Sequence, residues 1–220
     1  MILLERTSVM NLENALRGAR NPMNSWAKSD SYYDDEGNYI IGEADLKLGH
    51  NLCYSGSDHR KFIRQIFVSV DITAPLYWWK EFDTYKVGTV ANSCSTMHKI
   101  ASKEFDLSDF SIDHISYIPV EVSNGYESYK DDALDHFHET VRLLNAYRKL
   151  YLDTKDKTYW WQLIQLLPSS YNQKRTITMN YENAITIIKQ RTGHKLDEWA
   201  ELIDKLKTLP FIERIIEDGN

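Results

Sequence analysis

The residues able to do chemistry are few, and most of the familiar arrangements are missing. His136 and His138 stand two apart, so on a helix they point about 200° away from each other and are poorly placed to share an ion. There is no glycine-rich phosphate cradle, no Gly-x-Ser-x-Gly elbow and no His-Glu-x-x-His pair. Cys94 lies in the polar stretch Asn92-Ser93-Cys94-Ser95, a setting that can lower a thiol pKa, although a small buried residue is the better reading there. What stands out is the basic run His59-Arg60-Lys61-Phe62-Ile63-Arg64, followed after one strand by Thr73-Ala74-Pro75-Leu76-Tyr77-Trp78-Trp79-Lys80.

Those residues need elements to position them. Residues 9–19 have the pattern of a short amphipathic helix, and Asn21 to Asn38 reads as a long polar loop. A helix is expected over 40–54, ending near Gly56, with Asp58 capping another over His59 to Ile66. Phe67 to Ile72 alternates apolar and polar residues as a strand does, and Pro75 suits the start of a helix over Leu76 to Lys86. Residues 107–125 look loop-rich. A long helix is expected from Tyr129 to Leu152, with Leu134, Phe137, Val141, Leu144 and Tyr147 on one stripe. After a polar turn at 153–157, a helix over Tyr159 to Leu167 stops at Pro168. A strand over Arg175 to Asn180 and helices over Glu182 to Arg191 and Leu196 to Leu209 complete the pattern. With no repeat and no flexible linker, 1–220 is expected to form a single α/β domain.

In this order the landmarks resemble the flavin-dependent thymidylate synthases. That family has a histidine opening a short helix, a strand, Ala-Pro or Gly-Pro, an aromatic-rich helix, and then Arg-His-Arg-x-x-Ser-x-Asn-x-x-Ser-x-Arg. Aligned from Ala74-Pro75, this chain has Thr84-Tyr85-Lys86 for the triplet and Thr89 for the first serine; one inserted residue brings Asn92 and Ser95 onto the asparagine and second serine. Leu167-Pro168, Thr178-Met179-Asn180 and Arg191 match the family's Leu-Pro, Thr-Val-Asn and Leu-Arg. His194 with Glu198 resembles its next motif, and Asn24-Ser25-Trp26 its early Val-Ser-Phe.

The resemblance implies the family's α/β fold, a homotetramer, FAD, a uridylate-type nucleotide, and reduced folate and NADPH as reactants. Carried over, Ser25, His59, Tyr85, Lys86, Thr89 and Asn180 would lie along the flavin. Glu81, Asn92 and Ser95 would lie at the nucleotide, and Arg191 would polarise the uracil, a role that suits a fixed guanidinium. Each also has an ordinary structural role open to it. His59 could cap a helix, Asn180 could end a strand, Lys86 could be a solvated charge, and Arg191 could be a cation at a helix C-terminus. Trp78 and Trp79 read as core or interface.

The departures are as informative. Ile164 replaces the arginine expected three residues before Leu167, and Thr96 or Met97 replaces the motif's final arginine; both arginines help hold the substrate phosphate in the family. Glu81 stands for a glutamine and Glu182 for an arginine beside the flavin, and both changes make the pocket more negative. Two expectations follow: a divergent enzyme of this kind, or a catalytically silent relative that keeps the fold for ligand binding or assembly.

Composition sets the outer bounds. Hydrophobic residues are 42% and charged residues 26% of 220, the balance of a globular protein, and the formal charge of −6 argues against a nucleic-acid surface. Two cysteines exclude a disulfide framework or a four-cysteine zinc site, and no metal is expected. Ile2-Leu3-Leu4 is too short for a signal core and no apolar run could span a bilayer, so a cytoplasmic protein is expected. Six Trp and 14 Tyr favour a dense core and a subunit interface.

Overall fold

A computed structural model describes residues 2–123, 125–126 and 128–216. In chain order the elements are β1 (Leu3–Met10), α1 (Leu12–Ala19), β2 (Tyr32–Tyr33), β3 (Tyr39–Ile40), α2 (Glu43–Tyr54), β4 (Phe67–Pro75), α3 (Leu76–Phe82), β5 (Thr89–Ser93) and α4 (Thr96–Lys99). They continue with β6 (Val120–Ser123), β7 (Ser128–Asp131), α5 (Ala133–Thr154), α6 (Lys157–Leu166), β8 (Asn172–Asn180), α7 (Tyr181–Arg191), α8 (Glu198–Lys207) and α9 (Ile212–Ile216). The chain divides into two compact units.

The larger unit comprises Ile2–Ile72, Phe82–Asn92 and the chain from Arg175. Its sheet has the order β1-β4-β8-β5. Val68, Val70 and Ile72 alternate inward along β4, and Ile177 and Met179 do the same along β8; all five are buried. On the other face, Thr176 Oγ1 donates to Asp71 Oδ1 (2.6 Å) and Thr178 Oγ1 to Ser69 Oγ (3.2 Å), so the polar alternates form cross-strand pairs. Asn180 ends β8 and caps α7 by accepting from Asn183 N, and α7 then buries Tyr181, Ala184, Ile185 and Ile188 at helical spacing. From α8 come buried Trp199, Leu202, Ile203 and Leu206, and from α9 Ile212 and Ile215; each such aliphatic side chain contributes roughly 1.5–3 kcal/mol. Gly49 of α2 is required where it stands: a Cβ there would lie 2.3 Å from Cζ of buried Phe211.

The smaller unit holds Thr73–Glu81 and Ser93–Lys174. Asp132 accepts from Leu134 N and Asp135 N to start α5; Lys155 takes a left-handed φ of 58°, and Asp156 caps α6 at once, so α5 and α6 form a helical hairpin. Phe105, Phe110, Phe137, Val141, Leu144 and Leu163 make its core, and Asn145 fixes Phe105 by bonding its N and O at 2.8 Å each. Trp78 and Trp79 are buried here edge to face, with Trp79 Nε1 donating to Gln173 O at 2.9 Å, a core role.

Several boundaries differ from those expected. β1 occupies residues given no element in the sequence, apart from Val9 and Met10 at the start of the expected helix, because Arg6 at φ 50° shifts the inward phase from Leu4 to Thr7 and Val9 and hides the alternation. The first helix therefore starts at Leu12 rather than residue 9. The loop from Asn21 to Asn38 contains β2, which pairs antiparallel with β3 (Tyr33 opposite Tyr39). The run 60–65 is a 3-10 helix, and α3 ends at Phe82, four residues early. The long helix begins at Ala133 rather than Tyr129, since Ser128–Asp131 pairs as β7 with β6.

Candidate functional site

The larger unit brings most of the candidate residues to α7 and its neighbours. At the start of α7, Asn183 Nδ2 donates to Thr89 Oγ1 (2.8 Å) and to Val87 O, while Asn180 N donates to Gly88 O (3.2 Å). Gly88 is at φ +74°, and a Cβ there would sit 2.5 Å from Asn180 Nδ2. The 87–89 turn is thus tied to the helix by the Asn183 side chain and the Asn180 backbone N–H. Asn180 spends its carbonyl on the cap, and Thr89 accepts from Asn183, so both have structural work independent of any ligand.

In the same first turn, Glu182 meets the basic 3-10 helix. Its carboxylate pairs with Arg60 Nε at 3.2 Å and is clasped by both Nε and Nη2 of Arg64. A groove of about 230 Å³ opens beside this cluster, lined by Arg60 and Ile63 on one side and by Glu182, Thr186, Lys189 and Gln190 of α7 on the other. It runs into a second hollow of about 220 Å³ that shares Arg60, Ile63, Ile185 and Lys189 and reaches Cys53 and Tyr54. Burial pushes the Cys53 thiol up to about 12, against weaker pulls from Arg60 and Lys189, so it is no nucleophile at neutral pH. Two lining cations, Arg60 and Lys189, face one lining carboxylate, which Arg64 also reaches, with Asp58 near enough to Arg64 to be felt by it. Such a groove favours an anion, such as a phosphate group.

At the end of α7, Arg191 is held by aromatic groups. Its guanidinium lies 4.6 Å from the Trp199 ring centroid and 5.4 Å from that of Tyr85, and Nε donates to Tyr85 Oη at 2.8 Å. Tyr85 Oη in turn donates to Gln190 Oε1 at 3.1 Å. The Nη1 atom is 3.2 Å from His194 Nε2, and His194 Nδ1 accepts from Leu196 N at 3.1 Å. Arg191 Nη1 and His194 Nε2 thus stand side by side at the end of α7.

The remaining candidates are dispersed. Half-buried Ser25 gives its carbonyl to Arg20 Nη1 (3.3 Å), while His59 and Lys86 are exposed. Asn92 lies exposed on β5. Glu81 and Ser95 belong to the smaller unit, where Ser95 Oγ caps α4 by accepting from His98 N at 3.2 Å. His136 and His138 are exposed on α5, and among the described residues no group of three His, Cys, Asp or Glu could hold a metal ion. Sequence reasoning did not single out Thr186, Lys189 and Gln190. Their signal was present, since 182, 186, 189 and 190 share one face of a helix.

This arrangement of sheet and helices is the flavin-dependent thymidylate synthase fold. The chain superimposes on thymidylate synthase X (ThyX) from Helicobacter pylori, solved with FAD and dUMP, with a TM-score of 0.64 at 15% identity over 99% of this chain and 97% of that one. It is also similar to the UMP/dUMP methylase PolB from Streptomyces cacaoi bound with 5-Br UMP, with a TM-score of 0.59 at 14% identity over 94% and 88% of the two chains. No family model matches the sequence, and no curated protein matches it.

Proposed function

We propose that this chain is a divergent flavin-dependent protein that binds a uridylate-type nucleotide and transfers a one-carbon group to its ring. The observation that carries the proposal is the guanidinium of Arg191, fixed against Trp199 and Tyr85 beside His194 and reached along α7 from the cationic groove. A guanidinium fixed in this way would stabilise negative charge developing on a uracil carbonyl oxygen. The likeness to solved structures that hold FAD, dUMP and 5-Br UMP supports the same ligand classes.

The groove suits FAD in charge, if not in volume for the whole molecule. Arg60, Arg64 and Lys189 would face the diphosphate, with Thr186 and Gln190 offering hydrogen bonds. His59, Lys86, Ser25, Tyr85, Thr89 and Asn180 are proposed to complete the cofactor's surroundings, and Glu81, Asn92 and Ser95 the nucleotide's. When bound, the flavin supplies a hydride, with NADPH as its source and reduced folate as the carbon donor in this reading. A homo-oligomer, expected to be a tetramer, fits the exposed apolar residues Val87 (87%) and Val90 (68%) at edge strand β5. Among the described residues no helix is long and apolar enough to cross a membrane; a cytoplasmic location is part of the proposal.

A second reading, a catalytically silent binder of the same fold, is favoured by Glu182, whose carboxylate already occupies Arg60 and Arg64. Two measurements separate the readings. A yellow purified protein that also releases tritium from labelled deoxyuridine monophosphate supports the enzyme, with turnover expected well below that of ordinary family members. A colourless protein that binds neither FAD nor dUMP in calorimetry sinks both readings. Light scattering tests the assembly: a monomer at micromolar concentration refutes it.

A further inference from the structure

A second cavity, of about 230 Å³, lies in the larger unit beside α1 and the β2–β3 hairpin. Trp26, Tyr32, Tyr33 and Tyr39 line it, together with Arg17 and Arg20. The aromatic walls are fixed: Trp26 Nε1 donates to Asn21 Oδ1 (2.8 Å), Tyr33 Oη donates to Glu13 Oε2 (2.6 Å), and the Tyr33 and Tyr39 rings lie 5.3 Å apart. Trp26, Tyr32 and Tyr33 remain 50–57% exposed, a large cost in dry aromatic surface for a small hairpin to leave open.

The polar groups narrow the choice of ligand. Arg20 is buried (4% exposed); its Nε donates to Asp45 Oδ1 at 2.6 Å and its Nη1 to Ser25 O at 3.3 Å, but its Nη2 has no hydrogen-bond partner. A buried donor of this kind is expensive to leave unsatisfied. Asp45 cannot turn to it, because Ser29 and Ser31 both donate to the other carboxylate oxygen at 2.6 Å. The missing partner is therefore an acceptor. Glu13, on the same cavity, offers an acceptor for a ring N–H. Aromatic walls also suit a methylated ammonium, but a cation has no lone pair to offer the unsatisfied Arg20 Nη2. The volume falls below the roughly 300–1,000 Å³ of drug-sized ligands, which leaves space for a single flat heterocycle.

We propose that this cavity binds an oxopurine: the ring stacks among Trp26 and the three tyrosines, its carbonyl accepts from Arg20 Nη2, and its neighbouring N–H donates to Glu13. Guanine and hypoxanthine have that carbonyl next to N–H; adenine has an amine in its place. The inference does not depend on the flavin reading, which concerns the α7 groove.

The test is calorimetry of the full chain with guanosine, inosine, adenosine and FAD. Guanosine and inosine are expected to bind once per chain and adenosine at least tenfold more weakly. Trp26→Ala and Tyr32→Ser, both exposed walls of the cavity, should each weaken guanosine tenfold or more while melting like the parent. Arg20→Lys keeps a cation for Asp45 and should abolish the preference for guanosine over adenosine. The proposal is overturned if guanosine fails to bind at millimolar concentration, if adenosine binds as well as guanosine, or if guanosine affinity is unchanged in both exposed-wall variants. FAD competing with guanosine for the one site would also overturn it, because the cavity would then belong to the cofactor.

Discussion

Replacing Arg191 with Ala removes a guanidinium that does two separable things. Within the chain it stacks at 4.6 Å from Trp199 and 5.4 Å from Tyr85 and donates to Tyr85 Oη at 2.8 Å. A cation–π contact in a partly buried site is worth about 1 kcal/mol and a charge-assisted hydrogen bond about 1.5–3 kcal/mol. Tyr85 Oη keeps Gln190 as a partner after the change. The expected loss of stability is about 2.5–4 kcal/mol, a fall in melting temperature of roughly 5–16 °C for a chain of this size. That exceeds the ~0.3–1 kcal/mol expected of a simple cation at a helix C-terminus. Toward a nucleotide, loss of the guanidinium should weaken binding by a further ~1.5–3 kcal/mol, about 10- to 150-fold. Arg191→Lys should recover part of the stability but little of the affinity, because a point charge has no planar fork. Melting curves and dUMP titrations on parent, Ala and Lys proteins read the two effects. An Ala variant that melts within a degree of the parent refutes the aromatic clamp, and one that binds dUMP like the parent refutes the ligand role.

Three further outcomes are expected. Asp45→Asn should cost about 3–5 kcal/mol, since Arg20 and Asp45 side chains are 5% and 1% exposed and the change strands a buried cation; urea denaturation measures it. Burial alone would raise the Asp45 carboxyl, but Ser29, Ser31 and Arg20 outweigh it and hold it below its usual value. Its contribution is therefore present above the ordinary carboxylate range and fades as pH falls through the lowered folded value, and acid unfolding should start later in the parent than in Asp45→Asn. Glu182→Gln should change stability by no more than ~1 kcal/mol, because its ion pairs are partly exposed, yet increase the flavin retained through purification at low salt. Of the two thiols, exposed Cys94 should react with a disulfide reagent in the native protein while buried Cys53 waits for unfolding; equal rates would contradict the burial of Cys53.

The elements legible in the sequence were those whose periodicity is unbroken. Along β4, Val68, Val70 and Ile72 alternate without a fault, and α7 keeps its apolar face from Tyr181 to Ile188. β1 was lost because Arg6 turns to positive φ and breaks the period of two. The turn of 128–131 into β7 was lost because a four-residue strand beside a helix cap carries too little pattern, while the cap itself, Asp132, stood in plain view. For the site, the motif order led to α7, Tyr85 and Arg191, but which groups those residues would touch was not readable. Glu182 finding Arg60 and Arg64, and Arg191 finding Trp199, depend on pairings across more than a hundred positions in one case and eight in the other. Sequence spacing says nothing about the former and only hints at the latter.

The sheet order has a bearing on how the protein is made. β8 stands between β4 and β5, so neither strand acquires that neighbour until residue 180 has left the ribosome. By then the whole α5–α6 hairpin, whose contacts are local, has been synthesised and can fold early. The larger unit, assembled from three separate stretches of chain, must wait for its last third with strand edges open. Translation that stalls between Leu166 and Asn180 would therefore leave an intact helical hairpin attached to an unfinished sheet, and it is at that stage that the nascent chain most needs a chaperone.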